Sequence, residues 1–102
     1  MVELLQTRQG AISAICRKYR VARLFAFGSA LREDFRPEES DIDLLVEFEP
    51  MDGYDRACAY FDMLEELETA LGTKVDLLMA GAVKNRYISA EIERTKRILY
   101  AA

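Results

Sequence analysis

The chain has 102 residues, 51% of them apolar and 31% charged, with 18 acidic against 14 basic side chains and a formal charge of −4. That length makes one domain over residues 1–102, able to bury roughly 65% of its unfolded surface. The acidic balance argues against broad binding to nucleic-acid backbones. There is no histidine, so any catalysis rests on carboxylates. Without a long apolar run or a signal-like N-terminus, the chain reads as cytoplasmic and free of the membrane.

In chain order, Val2–Tyr19 reads as a helix. Leu4, Leu5, Ala11, Ile12, Ile15, Cys16 and Tyr19 recur at helical spacing, and Gly10 is assigned to core packing. Val21–Phe27 is a first strand, and Gly28-Ser29 opens a short helical turn to Glu33. The charged stretch 32–40, with Pro37, is loop. Asp41–Phe48 is a second strand, ended by Pro50-Met51-Asp52-Gly53. Asp55–Leu71 reads as a helix with the stripe Ala57, Tyr60, Phe61, Leu64, Leu67 and Leu71, closed by Gly72. Lys74–Met79 is a third strand, Ala80-Gly81 a turn and Val83–Arg94 a helix; Arg97–Tyr100 fits a final strand or a helix end. Cys16 and Cys58 fall at apolar helical positions and read as two reduced core thiols. Acids dominate 52–68 and bases 84–97, a pattern that solvated helix faces explain. The pattern as a whole is an α/β layered domain.

The chemistry concentrates between Phe25 and Val46. Asp41 and Asp43 sit two apart in a strand, so they share one face with Ile42 on the other. Two like charges that close are unfavourable unless a cation lies between them, and oxygen-only ligands suit Mg2+. Asp76 is an acid inside another apolar run; if the two strands are neighbours it joins the same site. Three carboxylates can hold two metals, one for nucleotide phosphates and one for an attacking oxygen. Gly28 lets backbone approach a ligand, free N–H groups at the turn favour phosphate, and the Ser29 hydroxyl can donate to a phosphate oxygen. Arg32 lies close enough in sequence to be a further phosphate contact. An Asp-x-Asp pair alone more often marks a strand end than a metal site, and Gly-Ser alone is usually a plain turn. Their order along three apolar strands is what carries the reading.

Phe27-Gly28-Ser29-Ala30-Leu31-Arg32, Ser40-Asp41-Ile42-Asp43-Leu44-Leu45-Val46, Asp76 and the tail Val83-Lys84-Asn85-Arg86-Tyr87-Ile88 to Ala101 resemble the DNA polymerase β-like nucleotidyltransferase superfamily. More narrowly, they resemble the minimal nucleotidyltransferases (MNT), antitoxins of HEPN-domain toxins. The spacer before Asp41 is one residue longer than is usual in that family, and Arg86 stands where relatives often carry Pro. The resemblance implies a small mixed β-sheet, helices mainly on one face and the carboxylates on an open side. It also implies AMP transfer from ATP, with two Mg2+ ions, to a tyrosine of a HEPN ribonuclease toxin held in a hetero-oligomer. Asp41, Asp43 and Asp76 would be the catalytic metal ligands, and Gly28, Ser29 and Arg32 would bind the nucleotide. Two other readings stay open: an antitoxin acting by complex formation alone, and a transferase for a small hydroxylated molecule.

Overall fold

A computed structural model describes residues 3–31 and 41–102. The expected loop 32–40, with Arg32 and the extra spacer residue, lies outside the described residues. The elements run α1 (Glu3–Thr7), α2 (Gln9–Lys18), β1 (Val21–Phe27), a 3-10 turn (Gly28–Leu31), β2 (Ile42–Phe48), α3 (Gly53–Leu71), β3 (Val75–Met79), α4 (Arg86–Thr95) and β4 (Arg97–Ala101). Among the described residues no helix is long and apolar enough to cross a membrane.

The four strands form one sheet in the order β3-β2-β1-β4. β1 runs antiparallel to β2 and to β4, whereas β2 and β3 are parallel. A parallel pair needs a long crossover, and α3 supplies it. The sheet is therefore mixed, as expected. Alternation sorts the side chains. Leu24, Ala26, Ile42, Leu44, Val46, Val75 and Leu77 face the main core. There they meet Leu5, Ile12, Ile15 and Cys16 from α1 and α2, and Met63, Leu67 and Leu71 from α3. The opposite face carries Phe25, Phe27, Leu45 and Leu78, and α4 covers part of it through Ile92. Burial on both faces explains why Leu24-Phe25-Ala26 and Leu44-Leu45-Val46 are unbroken apolar runs. Lys96, just after α4, lies 4.1 Å from the centre of the Phe25 ring and is paired with Glu93, which closes that half of the face.

Several boundaries differ from the sequence reading. The first helix is two, α1 and α2, broken at Arg8. Gly10 is not a core position: a Cβ placed there would meet nothing within 4 Å. Ala11 is exposed as well. α3 starts two residues before Asp55, because the Asp52 carboxylate accepts the Asp55 N–H at 2.7 Å and caps the helix. Its buried stripe is Met63, Leu67 and Leu71, one helical turn apart. Phe61 is 66% exposed and leans edge-on against Tyr60, and Ala57 is exposed. Cys58 is exposed too, so only Cys16 is a core thiol. α4 begins at Arg86 rather than Val83, since the Asn85 side chain accepts the N–H groups of Tyr87 and Ile88 and so sets the first turn. Gly72 ends α3 as expected, with φ +68° and its N–H on the Glu68 carbonyl. The last segment is a strand: it pairs with β1, and the Gln9 side chain donates to the Leu99 carbonyl at 2.6 Å.

Candidate active site at the Asp43 and Asp76 strand pair

The site starts from the way β2 and β3 are tied together. The Ile42 N–H reaches the Lys74 carbonyl at 3.0 Å, and the Ala80 N–H reaches the Val46 carbonyl at 2.8 Å, so both ends of the parallel pair are pinned. The Glu68 carboxylate accepts the Val75 N–H at 3.0 Å, linking the last turn of α3 to the first residue of β3. The Tyr60 hydroxyl donates to the Leu77 carbonyl at 2.5 Å from the main-core side. These bonds fix a register in which Asp43 stands directly beside Asp76. Both point away from the main core, onto the face that α4 covers only in part.

Across the other edge of β2, Asp43 is level with Phe27, the last residue of β1. The chain then turns at Gly28, whose φ is +56°. A Cβ at that position would stand 2.6 Å from the Asp43 Oδ2. Glycine is needed here twice over, for the left-handed backbone and for the close approach of the turn to the carboxylate. Ala30 is fully buried and Leu31 packs on the main core, so the 3-10 turn is held from below. The first N–H groups of so short a turn find no acceptor within the turn itself, and such groups suit an anion.

The electrostatics show Asp76 under the influence of its neighbours. Burial raises the Asp76 carboxyl above the usual carboxylate range; the charges of Asp43 and Asp41, and a hydrogen bond with Asp43, push it the same way. The Asp76 charge is also felt by Tyr60, whose hydroxyl is raised chiefly by burial. Of the residues expected in the site, the structure thus brings Gly28, Asp43 and Asp76 together, with Asp41 at the entrance to β2 near enough to act on Asp76. Ser29 follows Gly28 in the turn; Arg32 and the Ser29 side chain lie outside the described residues. Part of the charge of the basic tail is compensated locally. Arg94 pairs with Glu91 at 2.5 Å, Lys96 with Glu93, and Arg97 donates to nearby backbone carbonyls.

The donor set fits a magnesium ion in its chemistry. Among the described residues no three carboxylates are drawn into ligating positions as they lie. Mg2+, however, takes one or two carboxylates and completes its shell with phosphate and water oxygens. Asp43 and Asp76 could supply the two, and the Gly28 turn lies against the Asp43 carboxylate, where a phosphate would complete the shell.

A second feature was not visible in the sequence. A cleft of about 760 Å³ opens from Gly28 and Asp43 and runs along α4 from Tyr87 to Thr95. Phe27 and Leu31 form one wall, and Tyr87, Ile88 and Ile92 form the other. The only hint in the sequence is Tyr87-Ile88, two large apolar residues opening a helix otherwise rich in charge.

Comparison with known proteins agrees with this architecture. A family model for the nucleotidyltransferase domain matches residues 9–99. A Methanocaldococcus jannaschii protein named as a protein adenylyltransferase is 43% identical over 76 residues, 74% of this chain and 74% of its own. A solved minimal nucleotidyltransferase superposes with a TM-score of 0.76 at 28% identity, covering 93% of this chain and 92% of that one. The complex of a tri-AMPylated Shewanella oneidensis HEPN toxin with an MNT antitoxin superposes with a TM-score of 0.65 at 20% identity, over 96% of this chain and 73% of the other, a likeness of fold. The chain belongs to the nucleotidyltransferase-domain family.

Proposed function

We propose that this enzyme transfers AMP from ATP to a tyrosine hydroxyl of a HEPN ribonuclease toxin, releasing pyrophosphate and silencing the toxin. The observation that carries the reading is the register of Asp43 beside Asp76 on a half-open face, with Gly28 against the Asp43 carboxylate. In this reading Gly28 and Ser29 hold the β- and γ-phosphates, with Arg32 as a further contact. Asp41, Asp43 and Asp76 would hold two Mg2+ ions, which neutralise phosphate charge and favour the departure of pyrophosphate. The acceptor hydroxyl attacks the α-phosphorus, the bond to the bridging oxygen breaks, and Asp76 accepts the hydroxyl proton. A carboxylate whose proton affinity is raised by burial and by neighbouring acids suits that task.

Two of the relatives support the choice of acceptor: one is named for adenylyl transfer to protein, and the other is a complex containing an AMPylated HEPN toxin. In this chain the described sheet and helices frame a nucleotide site, and a partner must present the acceptor. AMP on a tyrosine adds bulk and negative charge, a local change able to block a ribonuclease surface. The test is transfer of AMP labelled at the α-phosphate, from ATP and Mg2+, to the co-purified partner. Label should move with the wild type and stay on ATP with the Asp41→Ala/Asp43→Ala double variant. Transfer by that variant would refute the site assignment.

A further inference from the structure

α3 buries Met63, Leu67 and Leu71 in the main core. On its outer side Tyr54, Cys58 and Phe61 follow one another at i, i+4 and i+7, so they form one ridge. Tyr54 is 79% exposed and Phe61 66%, and Ala57 and Cys58 between them are exposed too. Phe61 is held by an edge-on contact with Tyr60, ring centres 5.1 Å apart, and Tyr60 is itself tied to the Leu77 carbonyl. Two aromatic rings on the outer face of one helix are more apolar surface in water than the fold requires.

Beside this ridge lies a groove of about 430 Å³ between α2 and α3. Ile15 and Tyr19 give it apolar surface, and Asp62, Glu65 and Glu66 give it carboxylates. Glu66 is engaged by Lys18 at 2.9 Å and by the Tyr19 hydroxyl. Among the described residues, Asp62 and Glu65 enter no ion pair. Asp62 stands one turn beyond Cys58, and Glu65 one turn beyond Phe61, so the same carboxylates edge the ridge.

We propose that this ridge and groove dock a basic surface of the partner ribonuclease, with apolar side chains of the partner on Tyr54 and Phe61 and a lysine or arginine reaching Asp62 and Glu65. The inference rests on the function proposed above for the identity of the partner, and not on the transfer step. Charge chooses the occupant. An enzyme that cuts RNA must hold a polyanion, so it carries a basic surface. A long basic side chain suits the groove, with its aliphatic stem on Ile15 and Tyr19 and its cation at the carboxylates. A second copy of the chain fits badly, because a two-fold contact sets the same patch against itself and brings acids against acids. Asp43 and Asp76 project from the other face of the sheet, so docking on α3 leaves the carboxylate face open.

The test measures binding of the proposed HEPN partner to the full chain as wild type, Tyr54→Ser/Phe61→Ser and Asp62→Lys/Glu65→Lys. All four side chains are exposed, so denaturant midpoints should stay near that of the wild type. Each double variant should weaken the complex at least about tenfold, and the loss in the charge variant should shrink as salt is raised. Unchanged binding in both variants overturns the docking surface and leaves the transfer reading standing. A loss in the apolar variant alone refutes the basic character of the occupant. A wild-type homodimer that Tyr54→Ser/Phe61→Ser dissociates assigns the face to a second copy instead. A wild type that docks through α3 yet moves no AMP overturns the transfer reading alone, and one that does not bind the partner overturns both.

Discussion

Asp76 gives the clearest case of one residue working against the fold that holds it. Its carboxyl keeps a proton to higher pH when folded than when unfolded, first through burial and then through the charges of Asp43 and Asp41. In the window that opens at the usual carboxylate range and extends upward, the folded chain binds more protons than the unfolded one. The contribution of Asp76 to stability therefore falls as pH rises through that window. Asp76→Asn should be more stable than the wild type at neutral pH in chelator, with the difference closing as pH drops below the carboxylate range. Denaturant midpoints across pH measure this; a variant weaker than the wild type at neutral pH would contradict it. Mg2+ should narrow the gap by stabilising the wild type alone. Gly28 is the second sensitive position. Gly28→Ala puts a Cβ 2.6 Å from Asp43 Oδ2 on a backbone with φ +56°. The left-handed conformation costs about 1–2 kcal/mol with a side chain, and displacement of Asp43 should lower transfer on the order of a hundredfold. Wild-type transfer rates in Gly28→Ala would show that the close approach is dispensable.

At the scale of elements, most of the sheet and half of the site were legible because the signals are local. Alternation around Asp41-Ile42-Asp43 and the apolar runs of β1, β2 and β3 need no knowledge of neighbours, and Gly72 marks a helix end by its own backbone freedom. The parts that were not legible depend on contacts distant in sequence. Arg97–Ala101 becomes a strand because β1 offers an edge and Gln9 covers a carbonyl of Leu99. The cleft wall on α4 exists only because Ile92 docks on Phe25 and Leu45. Asp52 and Asn85 were readable as caps and were missed, which is why α3 and α4 start where they do. Asp52→Ala should cost about 1 kcal/mol of stability, a loss visible in chemical denaturation; an unchanged midpoint would mean the cap is idle. Gly10→Ala should do the opposite. The position is open to solvent inside α2, so removing backbone freedom should add about 0.5 kcal/mol.

Taken as a whole molecule, the protein divides its two sheet faces between stability and chemistry. α1, α2 and α3 seal the main core, while the second face keeps α4 at one end and the carboxylates at the other. The two cysteines report on that division. Burial pushes the Cys16 thiol up to about 12 and shields it, while Cys58 is exposed on α3. A thiol reagent should label Cys58 at once and Cys16 only on unfolding; rapid labelling of both would mean that the core opens readily. In the proposed function, the half-open face is where a partner would bring its acceptor to the nucleotide. The most direct test is the intact mass of the proposed HEPN partner after co-expression with the wild type or with Asp41→Asn/Asp43→Asn. The partner should be heavier by one or more AMP units with the wild type and unmodified with the variant, in a complex that still forms. An unmodified yet silenced partner with the wild type would contradict AMP transfer and leave an antitoxin that acts by binding.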